Sequence, residues 1–520
     1  MITRALLASA LVVVGSGSAS AQLPASFKAA AVDAAVEKAR AEFRVPGVAI
    51  GIVKDGRLVY AKGFGVRKLG ENVAVTPDTR FGIASNSKAF TTTALAMLVE
   101  EGKLDWNERV ITYLPWFRLH DPYVTREIRV RDLLSHKSGL GLGGGDLMAW
   151  LSDLPTDSIV RKIRGLPPRT SFRSTYEYNN IMFAVAGELI PAVTGESWAA
   201  FVTRRILKPL GMTRSVATLA ERGANGNDAA PHIDHEFTGK PVEVIPDSID
   251  NIAAAASIQS TVQDVAKWVA TQLDSGRVAG GAPLWKPTTT RMLWGMQTAI
   301  PINPPAPEFS PLVTNYSGYA LGFVLRQFRG HQVVMHTGGL NGMVTQVTLF
   351  PAERLGIIVL TNNQEPIIGA LTWTLADAML GSTGFDWVAA ARAQRTRTIT
   401  EANAEVAKAM AAENHAIQPT ATRRQMAGAY RDAWYGDLRV VEQGEGLALL
   451  WQHSPRMAAD LHHFRGDTWI ARFRDRVAPD AFVTFMVGRD GVPERMRMEA
   501  ISPLADFSFD YQDLNLVRVR

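Results

Sequence analysis

The sequence contains no cysteine and no block of like charge among its 520 residues. The absence of cysteine excludes disulfide bonds, thiolate metal sites and cysteine nucleophiles. The formal net charge is +5, but basic and acidic residues are interspersed. A chain without a basic block lacks the electrostatic footprint of a nucleic-acid-binding protein, so we expect no nucleic-acid partner. With 47% hydrophobic and 20% charged residues, the composition is globular.

Long apolar runs are also missing, and the N-terminus carries only a short one. Arg4 precedes an apolar run over 5–14 that is too short to span a membrane, and Ala19-Ser20-Ala21 supplies small residues after it. This pattern predicts a signal peptide over 1–21, cleaved after Ala21, and a periplasmic or secreted protein. An uncleaved N-terminal anchor is the alternative. No other stretch predicts a transmembrane helix.

Strand patterns lie near both ends of the first 385 residues, with helices and loops between them. The runs 47–53 and 58–66 are apolar and β-branched, and Asp55-Gly56 between them is a hairpin signal. Strand signals return over 318–327, 332–335, 344–350 and 356–361. We therefore predict an α/β (α+β) domain over 22–385, in which an antiparallel sheet is flanked by helices and joined by a helical subdomain.

The residue composition and the predicted secondary structure change after residue 385. The segment 386–424 is rich in Ala, Arg, Glu and Thr, which predicts a helical connection. From 425 to 520, short strand-like runs alternate with turns such as Arg489-Asp490-Gly491. We predict a small all-β domain there, a barrel or a sandwich, with its aromatic residues in the core, and its texture resembles that of lipocalin-like modules. A sharper hypothesis is that this domain overhangs an active-site cleft and restricts substrate size.

Three short motifs could together supply a reactive serine. Ser85 and Lys88 are three residues apart at the start of a predicted helix, so they face the same side of it. A hydroxyl beside an amine is the minimum equipment for an activated nucleophile, although the spacing alone is common. The motif 178–180, Tyr-Asn-Asn, precedes another predicted helix. The motif 336–339, His-Thr-Gly-Gly, lies at the end of a predicted strand.

In this order, the three motifs resemble those of the serine β-lactamase and penicillin-binding-protein superfamily. The resemblance is to its class C-like branch, with esterases, D-amino-acid peptidases and related hydrolases. It covers about 27–380 and includes the segments 133–140 and 209–212. The resemblance implies an acyl-enzyme mechanism on a small-molecule or peptide acyl substrate. We expect no cofactor, and the oligomeric state is left open.

The resemblance also implies a role for each motif. Ser85 would attack an acyl carbonyl, and either Lys88 or Tyr178 would be the main general base. Asn180 would bond Lys88 and the substrate. The backbone N–H groups of Ser85 and Gly339 would form the oxyanion hole.

The strand motif would bind the substrate through His336, Thr337 and Gly338 as well. Gly338 would let the substrate approach the strand closely. His336 stands where β-lactamases and transpeptidases usually carry lysine, and histidine is mostly neutral near pH 7. This departure favours an ester, amide or D-aminoacyl substrate. A true β-lactamase, a D-Ala-D-Ala carboxypeptidase and a catalytically silent binding protein on the same fold are the alternatives.

Other polar residues are predicted to have no catalytic role. His232, Asp234, His235 and Glu236 could bind a divalent cation, but their loop spacing favours solvated polar residues, so we expect no metal site.

Near the motifs, His136 and Ser138 are expected to brace a loop. Glu177 is interpreted as a solvated loop residue. The glycine-rich segment 141–146 lacks the ending of a phosphate cradle and predicts a flexible loop.

Overall fold

The computed structural model of the chain describes residues 22–223, 226–234, 238–382, 384–444 and 446–519. The predicted signal peptide and its cleavage position after Ala21 lie outside these residues. Within the described ranges, no helix combines the length and the apolar character needed to cross a bilayer.

An eight-stranded antiparallel sheet forms the centre of the first domain. The strands, in chain order, are Gly47–Lys54, Arg57–Gly65, Thr298–Ala299, Gly318–Tyr319, Val324–Phe328, His331–Leu340, Met343–Phe350 and Leu355–Thr361. The first two form the predicted hairpin, in which Asp55 and Gly56 have φ values of 50° and 77°. A two-residue turn with positive φ at both positions matches the twist of the flanking strands.

The C-terminal strands of this domain close onto the N-terminal hairpin. Leu355–Thr361 pairs along its length with Gly47–Lys54 on one side and with Met343–Phe350 on the other. All seven residues of Leu355–Thr361 are buried, so the middle of the sheet is covered on both faces. The sequence of such a strand is a nearly continuous apolar run because neither face of the strand is exposed to water.

Two strand predictions need correction. The run 318–327 is not one strand but two, because the chain turns at Gly322, which has a φ of +83°. The strand predicted over 332–335 is longer and includes the motif 336–339 at its end. The motif belongs to His331–Leu340, since the tight turn at Asn341-Gly342 keeps this strand paired with Met343–Phe350 up to Leu340.

Helices cover both faces of the sheet. Ala29–Glu42, Ile367–Leu380 and Trp387–Met410 pack over one face around a cluster of buried aliphatic and aromatic residues. Val262–Leu273 lies on the opposite face, against the central strands, with the helical subdomain beyond it. The other helices before residue 385 are Ser87–Glu100, Val110–Tyr113, Pro122–Glu127, Val130–Leu133, Thr156–Lys162, Asn180–Thr194, Trp198–Val202, Ala253–Ala256 and Pro287–Leu293.

A closed eight-stranded antiparallel barrel follows the short helix Arg423–Met426. Its strands are Gly428–Arg431, Asp437–Gln443, Gly446–Trp451, Ala459–Arg465, Thr468–Phe473, Ala481–Val487, Pro493–Ala500 and Leu516–Arg518. Pairing of the first strand with the last closes the barrel, and the aromatic side chains of Trp434, Tyr435 and Trp451 are buried in its core. The predicted fold class is confirmed in both parts, while the exact domain boundaries stay predictions.

Candidate active site

Ser85 lies at the sharp connection between a short strand and a helix. The single turn Ala84–Asn86 follows Phe81–Gly82 and leads directly into Ser87–Glu100. Ala84 has a φ of 50°, a left-handed conformation that costs free energy for a residue other than glycine. Strain of this kind persists only where the surrounding packing enforces it, and here it sits immediately before Ser85.

Lys88 is fully buried one turn further along and points back to Ser85. Its Nζ donates hydrogen bonds to Ser85 Oγ at 3.1 Å, to Asn180 Oδ1 at 2.7 Å and to the Ala255 carbonyl oxygen at 3.1 Å. The helical spacing predicted from the sequence therefore brings the amine to the hydroxyl. All three contacts are with neutral groups.

The surroundings of Lys88 favour its neutral form. Its Nζ lies 4.8 Å from the ring centroid of Tyr178 and 5.3 Å from that of Phe183. Burial lowers the pKa of Lys88 to about 7, and the Asp146 carboxylate opposes this fall. A substantial fraction of the amine is then unprotonated at neutral pH and able to accept a proton from a neighbouring hydroxyl.

Tyr178 is held beside this pair by the start of a helix. The next residue, Asn179, caps Asn180–Thr194 by accepting a hydrogen bond from the backbone N–H of Met182 at 3.1 Å. Burial raises the pKa of the Tyr178 phenol well above its usual value, although a hydrogen bond with Ser85 opposes the shift. Near neutral pH the phenol is therefore protonated.

Asn180 joins Lys88 to a carboxylate that the sequence did not single out. Its Oδ1 accepts from Lys88, and its Nδ2 donates to Asp146 Oδ2 at 2.8 Å. Asp146 has no exposed surface, and burial raises its pKa to about 7. The prediction of a flexible loop over 141–146 is therefore wrong. No local pattern reveals Asp146, because its partners are 34 and 362 residues away in the chain.

The two glycines of the strand motif face opposite ways. A Cβ on Gly338 would lie 2.4 Å from the Ile83 carbonyl oxygen and 2.9 Å from Ala84 Cβ, whereas a Cβ on Gly339 would meet no atom within 4 Å. The expectation that Gly338 admits the substrate thus needs correction. Gly338 lets the strand pack against the turn that carries Ser85, and Gly339 faces the open cleft.

The motif also presents a free backbone edge to the cleft. Strand Val324–Phe328 pairs with His331–Leu340 only up to Met335, so 336–340 has a strand partner on one side only within the described ranges. Burial alternates along this segment, with Thr337 and Gly339 exposed and His336 and Gly338 buried. An unpaired strand edge offers N–H and C=O groups to an extended ligand.

His336 is a neutral imidazole whose two ring nitrogens are both engaged. Nδ1 lies 2.5 Å from the Thr337 carbonyl oxygen, so it carries the proton, and Nε2 accepts from the Tyr319 hydroxyl at 2.9 Å. Burial, together with the charge of Lys88, lowers the pKa of His336 to about 3. This side chain therefore supplies no cation to the cleft.

These residues line one cleft of about 480 Å³ to which both domains contribute. Ser85, Tyr178, Asn180, Thr337 and Gly339 are on the side of the first domain. Asp506, Phe507 and Ser508 come from the barrel, in the connection between its last two strands. The Phe507 ring meets the Tyr178 ring edge-on, with centroids 6.0 Å apart. The barrel therefore overhangs the cleft, as the sharper hypothesis expected.

His136 packs inside the site against Tyr178. Its Nδ1 accepts from the backbone N–H of Asn179 at 3.1 Å, and its ring centroid lies 4.2 Å from that of Tyr178. Burial holds the pKa of His136 well below its usual value. Ser138 Oγ accepts from the backbone N–H of Leu140 at 3.3 Å. Glu177 is half-buried, directly before Tyr178. These contacts match the predicted bracing role of His136 and Ser138.

The polar residues 232–236 include one clear correction. His232 is fully buried rather than solvated: its Nε2 accepts from the Leu69 N–H at 3.2 Å, and its Nδ1 lies 3.1 Å from the Asn362 carbonyl oxygen. Asp234 accepts from the backbone of Thr238 and Gly239. His235 and Glu236 lie outside the described residues. Among those described, no group of three metal-ligating side chains is assembled.

Two protein-family models match different parts of the chain. Residues 32–378 match the model of the Beta-lactamase family, so the chain belongs to that family. Residues 412–518 match a second family, which is described as a domain of unknown function, DUF3471. The family assignment confirms the resemblance inferred from the three motifs.

Named relatives are similar to this chain in sequence. It is 31% identical over 363 residues to the unguisins hydrolase ungD' of Aspergillus campestris, covering 66% of this chain and 65% of that protein. It is 26% identical to the Staphylococcus aureus protein flp, over 64% and 62% of the two chains. The chain thus spans somewhat less than two thirds of these relatives.

A solved structure extends the likeness of fold to nearly the whole chain. The octameric penicillin-binding protein homologue from Pyrococcus abyssi superposes with a TM-score of 0.60 at 20% identity, covering 94% of this chain and 99% of that one. At this level of identity the match establishes the fold, and the chemistry has to be argued from the residues.

Proposed function

We propose that this protein is a serine hydrolase that forms an acyl-enzyme at Ser85. The observation that carries the proposal is the fully buried Lys88, with its Nζ 3.1 Å from Ser85 Oγ and a pKa lowered by burial to about 7. A hydroxyl becomes a nucleophile when a neighbouring base can take its proton. Membership of the Beta-lactamase family and the 31% identity to a named hydrolase support the same chemistry.

Acylation follows from the positions of these groups. Neutral Lys88 takes the Ser85 proton as Oγ bonds to the acyl carbon, and the carbonyl oxygen becomes an oxyanion. The backbone N–H groups of Ser85 and Gly339 are proposed to bind that oxyanion, since Gly339 lies on the free strand edge and faces open space. As the oxyanion collapses and the bond from the acyl carbon to the leaving group breaks, Tyr178 donates a proton to the departing group and regains one from Lys88.

Deacylation reverses these roles. Water enters the cleft, gives up a proton to the Tyr178–Lys88 pair and attacks the acyl carbon. Ser85 recovers its proton as its bond to the acyl group breaks. Between Lys88 and Tyr178, which the sequence leaves open, the directions of their pKa shifts favour Lys88 as the main base.

The charge pattern of the cleft favours substrates without a carboxylate near the reacting bond. His336 is neutral, and Lys88 is committed to Ser85 and Asn180. The barrel adds Asp506, whose exposed carboxylate at the cleft mouth repels anions. We therefore propose an ester, an amide or a D-aminoacyl or peptide substrate, and rank a β-lactam or a D-Ala-D-Ala carboxylate below them. Export after cleavage at Ala21 is part of the proposal.

A fluorophosphonate probe tests the proposal. The wild-type protein should be labelled and should release p-nitrophenol from a small ester with a burst, whereas Ser85→Ala should do neither. Ser174→Ala is the matched control, since Ser174 is an exposed serine on the segment before Tyr178. If the wild type is not labelled, or if Ser85→Ala retains labelling and turnover, the proposal is wrong. An unlabelled protein that still binds ligand would be a silent binding protein on this fold.

The substrate class is then decided on one preparation. Small esters, D-aminoacyl amides and nitrocefin are compared by kcat/KM, and we expect the first two to exceed nitrocefin. His336→Lys would place a cation on the cleft wall, and a gain in β-lactam turnover would show that this position selects the substrate class.

A further inference from the structure

Asp146 is a buried carboxylate in the catalytic region to which the proposed mechanism assigns no step. Its Oδ2 accepts two hydrogen bonds, from Asn180 Nδ2 at 2.8 Å and from Ser508 Oγ at 3.0 Å. Within the described ranges, its Oδ1 has no hydrogen-bond partner. A buried carboxylate with an unpaired oxygen is costly, so a compensating role is expected.

The contact with Asp146 fixes the orientation of the Asn180 amide. An amide group has an NH₂ end that only donates and an oxygen that only accepts. Because Asp146 takes a hydrogen bond from the NH₂ end, the oxygen of Asn180 is turned to Lys88 Nζ, 2.7 Å away. The reverse orientation would face two donors, the amine and the NH₂ group, towards each other.

The barrel in turn holds Asp146 from both sides. Besides Ser508, the Asp510 carboxylate accepts from the backbone N–H groups of Gly145 at 2.7 Å and Leu147 at 3.2 Å, the two neighbours of Asp146. Phe507 closes over Gly143, where a Cβ would lie 2.6 Å from the Phe507 carbonyl oxygen. The segment 506–510 is therefore in direct contact with the loop that carries Asp146.

We propose that Asp146 is a positioning residue for Lys88, acting through Asn180, and that the barrel segment 506–510 holds Asp146 in place. The proposal rests on the proposed function of Ser85 and Lys88. It makes the barrel part of the hydrolytic machinery, because a contact made by Ser508 is passed through two hydrogen bonds to the amine. The barrel would then contribute to the reaction itself as well as to the wall of the cleft.

The groups around Lys88 determine in which direction the loss of the Asp146 charge shifts the pKa of Lys88. Tyr178 from the helix entrance, His136 from its loop and His336 from the strand are all neutral near pH 7, because burial disfavours their charged forms. Asp146 is the carboxylate whose charge favours protonated Lys88. Removing that charge therefore makes Lys88 lose its proton at a lower pH.

The test is the pH dependence of kcat/KM for p-nitrophenyl acetate in the full chain. Asp146→Asn should move the acid limb to lower pH by on the order of one unit, as expected for the loss of a buried neighbouring charge. Ser508→Ala should move it in the same direction by less, because Asp146 loses a hydrogen bond that favours its ionised form. If Asp146→Asn does not fold, the direction of the shift in Ser508→Ala decides the question.

Asp432→Asn is the matched control. Asp432 is a buried carboxylate of the barrel that accepts from the backbone N–H groups of Trp434 at 2.8 Å and Asn515 at 2.7 Å, both within the barrel. Its replacement should lower Tm and leave the acid limb in place. A lower Tm in Asp146→Asn without a shift of the acid limb, or a shift to higher pH, would overturn the proposal and leave a purely structural carboxylate.

A second readout separates this proposal from the proposed function. In ¹³C-lysine-labelled protein, the Lys88 signal, assigned by its loss in Lys88→Ala, titrates whether or not the protein turns over an ester. An inert wild type would refute the hydrolase while the Lys88 titration still tests the role of Asp146. An active wild type with the same Lys88 titration in Asp146→Asn would refute only the positioning role.

Discussion

The floor and the rim of the cleft differ in origin and in chemistry. The floor, made of Ser85, Lys88 and Tyr178, belongs to the first domain, and Lys88 is fully buried among neutral groups. The rim, made of Asp506 and Phe507, belongs to the barrel, and Phe507 keeps 40% of its surface exposed. Under the proposed function, burial tunes the proton transfer on the floor, and we expect the exposed rim to select the acyl groups that reach it.

The largest predicted effect comes from the amine of the floor. Lys88→Ala should lower kcat/KM for a small ester by about 10²–10⁴-fold, the contribution usual for a general base. Lys88→Arg should not restore activity, because a guanidinium does not lose its proton. Lys62→Ala, which removes a lysine from a surface ion pair with Asp33, is the control and should retain activity. Activity in Lys88→Ala near the wild-type level would show that Lys88 is not the general base.

The next effect concerns the support of the floor. Gly338→Ala should lower kcat/KM by roughly 10²-fold, since the added methyl would push the strand away from the turn at Ser85. Overpacking should also reduce the free energy of unfolding by about 1–3 kcal/mol. Gly339→Ala has open space for its methyl and should keep the wild-type unfolding free energy in a denaturant titration. Equal destabilisation in both variants would contradict the placement of the two glycines.

The pH dependence of the wild type provides a third test. Protonated Lys88 cannot take the Ser85 proton, and its pKa is lowered by burial to about 7. For a small ester, kcat/KM should therefore rise with pH, reach half its maximum near pH 7 and fall about tenfold for each unit below that. A profile that is flat between pH 5 and 8 would show that Lys88 is not the base.

The smallest effect is expected at the rim. Phe507→Ala should raise kcat/KM for bulky acyl esters several-fold relative to p-nitrophenyl acetate, because it removes a ring that stands over Tyr178. Phe482→Ala changes a barrel aromatic that packs on Phe464, away from the cleft, and should leave this ratio unchanged. If both variants change the ratio equally, the rim does not select the substrate.

The sequence predicts those parts of the site in which local pattern and local geometry agree. Ser85 and Lys88 meet because helical spacing brings them together, and the hairpin at Asp55-Gly56 follows from its turn residues. Asp146 and Ser508 could not be found in this way. Their contact spans 362 residues and depends on how the barrel packs against the first domain.

The strand motif shows an intermediate case. Its four residues are recognisable in the sequence. Which glycine packs against the turn at Ser85 and which faces the cleft depends on which face of the strand contacts Ile83. Two barrel strands carry no clear strand pattern in the sequence: Gly428–Arg431 has only four residues, and Ala459–Arg465 carries charged and histidine side chains. Pairing within a closed barrel, rather than local propensity, makes both of them strands.

The central claim is that a buried, partly neutral Lys88 makes Ser85 reactive. Its most direct test is the rate of Ser85 modification by a fluorophosphonate as a function of pH, with the modified residue located by peptide mass spectrometry. We predict a single adduct on Ser85, forming at a rate that rises with pH through about 7 in the wild type and is strongly reduced in Lys88→Ala. An adduct on another residue, or a rate on Ser85 that is independent of Lys88, would contradict the account.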